Sequence, residues 1–326
     1  MNMSRRTFVQ SLAGAGLVPM GAKGALAQAA YPTKPIRLLV GFAAGGSTDT
    51  VGRLIGQALS ERLGQAIVIE NRPGAGTNIA TEAAIRAAPD GYTLLMVGPS
   101  ATINATLYKQ LNFSFVQDTT PIASLVSQPQ VMLVNPSLPA KDIPELITYA
   151  KANPGKINIA SAGVGSIGHL SGELFKMMTG VDMLHVPYRG AAPALSDLVS
   201  GQVHMSFAGI AGAVEFVKSG MLRALAVTTQ KRSEILPETP TVAEFVPGYE
   251  SNDWFGMAGP KDLPPQLVDM LNREIGKALA DPKLKARFAD LGGSPLVSTP
   301  AEFGQLVRDD TVKWGKVIQA AKVAPI

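Results

Sequence analysis

From residue 36 onward the sequence repeats one unit, and that unit limits the fold more than any other feature. Ile36-Arg37-Leu38-Leu39-Val40 is a short apolar run stopped at Gly41, which reads as a buried strand. Beyond Gly45-Gly46, the apolar residues Val51, Leu54, Ile55, Ala58, Leu59 and Leu63 recur at helical spacing. Ser47 or Thr48 is placed to cap that helix, and Asp49 falls in its first turn, where a negative charge suits the helix dipole. The unit then recurs. Ala66 to Glu70 reads as a strand, Asn71 to Thr77 as a glycine-rich turn, Ile79 to Ala87 as a helix and Tyr92 to Val97 as the next strand. Strands that alternate with helices through short turns predict an α/β fold with a mainly parallel sheet flanked by helices.

The pattern changes near Thr120. Ile122 to Val134 gives two apolar runs broken at Pro129 with no helix between them, read as the first crossing into a second lobe. A second series follows: strands at Ile157 to Ala160, Met183 to Val186, Val203 to Phe207 and Leu222 to Val227, with helices at Ile167 to Met178, Ala191 to Leu198 and Ala211 to Lys218. Trp254 to Ala258 resembles a strand returning to the first lobe. Pro264-Pro265, Pro282 and Pro300 then open three terminal helices, expected to brace that lobe. The expected division is residues 31–125 with 250–326 as lobe 1, and 126–249 as lobe 2. A chain of 326 residues with 46% hydrophobic content is long for one core, which favours two.

The first 27 residues stand apart. Arg5-Arg6, a weakly apolar stretch from Val9 to Ala22 and the run Ala25-Leu26-Ala27 are ordered as a cleavable secretory leader. The paired arginines after Ser4, with Phe8 two places on, indicate the twin-arginine type. The apolar stretch is shorter than the ~20 residues a membrane span needs, so an exported, periplasmic chain is expected. Net charge falls from +4 to about +1 when Arg5, Arg6 and Lys23 leave with the leader, which argues against a nucleic-acid partner. There are no cysteines, hence no disulfide and no thiol nucleophile.

Chemistry points to the turns. Phe42-Ala43-Ala44-Gly45-Gly46-Ser47-Thr48-Asp49 joins a strand end to a helix start, where unpaired backbone N–H groups converge and can bind an anion. The glycines remove Cβ atoms from the approach, and the Ser47 and Thr48 hydroxyls add donors. The plainer alternative is a tight turn. A nucleotide phosphate is disfavoured because no Gly-Lys-Ser/Thr follows. The turn ending in Gly76, Thr77 and Asn78 closes the next strand and should share its rim, whereas Arg72 reads more readily as half of an ion pair. Gly163-Val164-Gly165-Ser166-Ile167-Gly168 fits G-x-G-x-x-G, but the next strand ends in Tyr188 and Arg189 in place of the acid a dinucleotide site needs. It reads instead as a second anion cradle, capped by Ser166 and with His169 in the first helical turn. His169, His185 and His204 lack metal-ligand spacing, and no G-x-S-x-G elbow occurs. No catalytic residue, metal or cofactor is expected. A secreted cofactor-dependent oxidoreductase and a sensory receptor for a signalling partner are the rival readings.

Taken together, several blocks resemble one family: Pro35 to Val40, Gly45 to Asp49, Glu70 to Gly76, Pro89-Asp90-Gly91-Tyr92-Thr93-Leu94-Leu95, His185-Val186-Pro187-Tyr188-Arg189-Gly190 and Leu222 to Thr228. The chain is similar in these to the Bug family, the periplasmic receptors of tripartite tricarboxylate transporters. The resemblance implies a non-enzymatic, two-lobe, hinge-closing binding protein, expected as a monomer, that delivers a carboxylate to two membrane subunits. It implies ligand contacts from Ala44 to Asp49, from Ser100 and Thr102, from Gly163, Gly165, Ser166 and His169, and from Tyr188, Arg189 and Gly190. One departure stands out. The family shows an acid after the phenylalanine in Val203 to Gly209, where this chain has Ala208. Its loss argues for a plain mono-, di- or aromatic carboxylate over an amino acid.

Overall fold

A computed structural model describes residues 31–326. The expected leader lies outside the described residues. The first strand, β1 (Ile36–Val40), buries all but Arg37. Helix α1 (Ser47–Leu63) sinks Val51, Ile55 and Leu59 into the sheet, with Leu54, Ala58 and Leu63 at the margin, and stops at left-handed Gly64. The helix also lies close to the strands because Gly52 and Gly56 face Met96 and Ile69. Then come β2 (Ile67–Asn71), α2 (Asn78–Ile85), β3 (Thr93–Val97), α3 (Pro99–Leu107) and the single turn α4 (Phe115–Asp118). Strands β2, β1 and β3 pair in parallel.

The next strand carries the chain between lobes. β4 (Thr119–Val134) is one strand of 16 residues, not two runs separated at Pro129. Its first part pairs with β9 (Asn252–Pro260) as far as Pro129↔Asn252. From Gln130 onward it pairs antiparallel with β7 (Met205–Gly209) and β8 (Arg223–Val227). Pro129 brings no N–H, so it sits where β4 exchanges one set of partners for another.

Between them lie α5 (Ile143–Ala152), β5 (Asn158–Ser161), α6 (Ile167–Thr179), β6 (Leu184–Pro187), α7 (Ala191–Ser200) and α8 (Ile210–Lys218). β5 pairs in parallel with β6 and β7. The outcome is an α/β protein of two lobes, parallel within each strand–helix series and antiparallel at the crossing strands β4 and β9.

After β9 come α9 (Pro265–Ala280), α10 (Pro282–Asp290), the short β10 (Ser294–Pro295) and α11 (Pro300–Ala320). The α11 start is a capping box of Thr299 and Glu302. This last helix braces more than the first lobe. Phe303 and Val307 pack beside Trp254 and Leu95 of the first sheet. Trp314, Val317 and Ile318 enter the core that holds Met132, Phe175, Phe207 and Tyr249 of the second. Among the described residues no helix is long and apolar enough to cross a membrane.

Candidate functional site

The turn after β1 is held open by a buried acid. Asp49 is 2% exposed, and its carboxylate accepts Gly45 N–H at 2.9 Å, Arg53 Nε at 2.8 Å and Asn71 Nδ2 at 2.9 Å. Burial alone raises such a carboxyl, but the Arg53, Gly45 and Asn71 hydrogen bonds prevail and hold it at about 2. Asp49 therefore shapes the turn from within and does not face a ligand. Asn71 Nδ2 also reaches the Phe42 carbonyl at 3.0 Å. The cap of α1 is Gly46, not Ser47 or Thr48, and it has no side chain to offer. The first helical bond runs from Thr50 N–H to Gly46 O, so the N–H groups of Ser47, Thr48 and Asp49 have no acceptor among the described residues.

Helix α3 begins in the same way, with an extended Gly98 as its uncapped N-cap and Pro99 behind it. Ser100 faces the hollow in front of this start. Thr102 does not: it is fully buried and donates to Pro99 O at 2.7 Å and to Asp310 Oδ2 at 3.0 Å. In the turn before α2, Gly76 reaches the hollow, while Thr77 and Asn78 are buried beneath it. Asn104 Nδ2 ties that turn to α3 through Gly76 O at 2.7 Å and Asn78 Oδ1 at 2.9 Å. Arg72 lies against Glu70 at 2.6 Å as an ion pair.

The second lobe contributes two more helix starts. Ser166 caps α6 by accepting His169 N–H at 3.3 Å, and its hydroxyl donates to Gly163 O at 2.8 Å. His169 is 4% exposed and accepts Gly165 N–H on Nδ1 at 3.2 Å. Its ring stacks on His185 with centroids 3.7 Å apart, and His185 Nε2 meets Ser161 Oγ at 2.6 Å. Burial, then each other's proximity and Lys176, drive His169 down to about 3; burial and Lys176 drive His185 down to about 4. Two neutral imidazoles thus hold the 163–166 turn from behind, and His169 supports the site without facing it.

Helix α7 starts at Gly190, again with no side-chain cap and with φ 124, a conformation left to glycine. Tyr188 turns away and donates its hydroxyl to Asp197 at 2.7 Å, and Arg189 points to solvent outside the hollow. Ala208 is buried within β7.

These starts surround one hollow of about 650 Å³ between the lobes. Of the residues read from sequence, Phe42, Ala44, Gly46, Ser47, Thr48, Gly76, Ser100, Gly163, Gly165, Ser166 and Gly190 line it. Gly45, Asp49, Thr77, Asn78, Thr102, His169, Tyr188, Arg189 and Ala208 lie behind or beside that wall. Asn104, Tyr108, Ala191, Phe255 and Asp253 also line it, and no sequence motif marks them. No Lys or Arg is among the lining residues, so positive potential comes from backbone N–H groups and helix ends. A second hollow of about 720 Å³ behind β4 and β9 presents Glu250, Glu302, Asp309 and Asp310 against the single cation Lys313, a balance of the wrong sign for an anion.

Residues 51–323 match the family described as "Tripartite tricarboxylate transporter family receptor". BugT of Bordetella pertussis is 34% identical over 322 residues, covering 98% of each chain. The solved structure of R. palustris Rpa4515 with adipate is similar with a TM-score of 0.81 and 36% identity, over 91% of this chain and all of that one. MatC of Rhodopseudomonas palustris, solved with bound malate, gives a TM-score of 0.76 and 34% identity, over 88% of this chain and 100% of that one.

Proposed function

This chain belongs to the tripartite tricarboxylate transporter receptor family, and we propose that it captures a small carboxylate in the interlobe hollow and presents it to the membrane subunits of such a transporter. One observation carries the reading. Four helix starts, α1 and α3 from one lobe and α6 and α7 from the other, converge on a hollow that no Lys or Arg lines among the described residues. Charge-assisted hydrogen bonds of this kind contribute about 1.5–3 kcal/mol each, and each helix terminus adds ~0.3–1 kcal/mol. Because the donors come from both lobes, the ligand stabilises the closed arrangement over the open one.

Lobe 1 comprises residues 31–125 and 250–326 and lobe 2 residues 126–249, with the hinge in the crossing strands β4 and β9. Export through the twin-arginine leader would deliver the receptor to the periplasm as a monomer. The adipate and malate named for Rpa4515 and MatC make dicarboxylates of four to six carbons the first ligands to test. Mass spectrometry of small molecules released from the purified protein, followed by calorimetry with adipate and malate, tests the reading. Release of a carboxylate and saturable binding are expected. A released nucleotide or flavin, with no carboxylate binding, would refute it in favour of an oxidoreductase.

A further inference from the structure

The hollow is built for an anion, yet the one charged side chain that lines it among the described residues is itself an acid. Asp253 stands on β9, opposite Gln128 of β4, at the floor between the lobes. Strand alternation turns Trp254 to the other side, where its Nε1 donates to Asp310 at 3.0 Å, and returns Phe255 to the hollow beside Asp253. Among the described residues the Asp253 carboxylate has no ion-pair partner and no side-chain hydrogen bond. A bare carboxylate there would repel the ligand that every surrounding helix start attracts. We propose that Asp253 is a specificity-determining residue that meets the ligand in its protonated form, donating its O–H to a ligand carboxylate oxygen. The receptor then captures the anion together with one proton from solvent.

The surroundings favour the neutral acid. Burial first, and then the Asp310 carboxylate on α11, lift Asp253 to about 7 against the pull of the Trp254 N–H. Asp310 is itself raised by burial, with Lys313 Nζ at 3.9 Å. β4 faces Asp253 with neutral Gln128, which is occupied with Leu291 O. The loops at 42–48, 162–167 and 190–191 bring no titratable side chain into the hollow, and Tyr108 at the end of α3 is kept protonated by burial. Ile326 also reaches the hollow, where its oxygen accepts Lys109 N–H at 3.1 Å and its N–H donates to Leu107 O at 2.8 Å. Among the described side chains Asp253 is thus the one placed to exchange a proton as an anion arrives, and the anion's own charge strengthens the bias.

This inference rests on the carboxylate reading, and the experiment separates the two. Adipate and malate are titrated calorimetrically into the full-length mature protein from pH 6 to pH 9, in buffers of different ionisation enthalpy. At pH 8 close to one proton should be taken up per ligand, and above that pH Kd should weaken roughly tenfold per unit. Asp253→Asn keeps a donor and cannot ionise. Its Kd should change less than about twofold across the same range, with no proton uptake. A flat wild-type profile without uptake overturns the proposal, and so does an Asn variant that keeps the wild-type slope. Preference for glutamate over adipate, lost in Asp253→Asn, overturns it as well, because the carboxylate would then be accepting from an ammonium. Failure of both probes to bind at any pH refutes instead the dicarboxylate reading on which the inference rests.

Discussion

Placing an internal carboxylate at the N-cap of α1 should fill one of the site's anion positions without harming the fold. Gly46 has φ −77 and ψ 170, extended backbone that any residue adopts. A Cβ there meets only Ala43 O at 3.6 Å. Gly46→Asp therefore fits without strain, and its carboxylate accepts the N–H of Thr48 or Asp49 as an ordinary cap. Asp exceeds Gly at this position by only a few tenths of a kcal/mol, so Tm should rise by about 1 °C or less. The ligand, however, loses at least one charge-assisted hydrogen bond and meets a like charge. A loss of about 1.5–3 kcal/mol weakens Kd roughly 10- to 150-fold. Gly46→Ala adds the methyl without the acceptor and should weaken Kd less than about fivefold. Calorimetry with adipate or malate, paired with thermal melts, reads both quantities. Binding by Gly46→Asp within twofold of wild type would show that the α1 N–H groups do not hold the anion, and an equal loss in Gly46→Ala would show that room, not donors, limits binding.

Three further outcomes follow from the same structure. Asp49→Asn leaves Gly45 N–H and Arg53 without their carboxylate, and should cost ~1–3 kcal/mol by urea denaturation while weakening carboxylate binding. The native pH profile should have two arms. His169 and His185 are held neutral, at about 3 and about 4, so the unfolded chain binds more protons below about pH 6.5 and stability falls as pH drops from there towards 4. Asp49, held at about 2, adds a further loss as pH falls below its unfolded value, near 4, towards 2; in His169→Phe the first arm should be shallower. Trp314→Ala empties a fully buried position where α11 meets the second lobe, and should cost about 3–5 kcal/mol in denaturant titrations.

What could be read in advance was what is local. Val51, Ile55 and Leu59 mark α1 because one face of the helix is buried and the other is wet, and Gly45 marks the turn because φ 87 needs glycine. Helix α3 escaped that reading. Pro99-Ser100-Ala101-Thr102-Ile103-Asn104 is buried on several sides between the lobes, so no apolar stripe distinguishes it. Polar residues at turns read alike in sequence because a side chain that shapes a loop and one that faces a ligand have the same composition. Asp49 and His169 are of the first kind, which only their hydrogen bonds reveal. The two histidines are sixteen residues apart and meet because β5 pairs with β6. Asp253 was invisible for the same reason, since the register of β9 on β4 puts it at the floor of the hollow.

The most direct test is a crystal structure of the mature protein with the carboxylate it carries or binds most tightly. Carboxylate oxygens should lie within about 3 Å of main-chain N–H groups at the start of α1, and of others at the start of α6 or α7, across a closed hollow. A ligand held by Arg or Lys side chains, or seated behind β4 and β9 beside Asp309 and Asp310, would contradict the account.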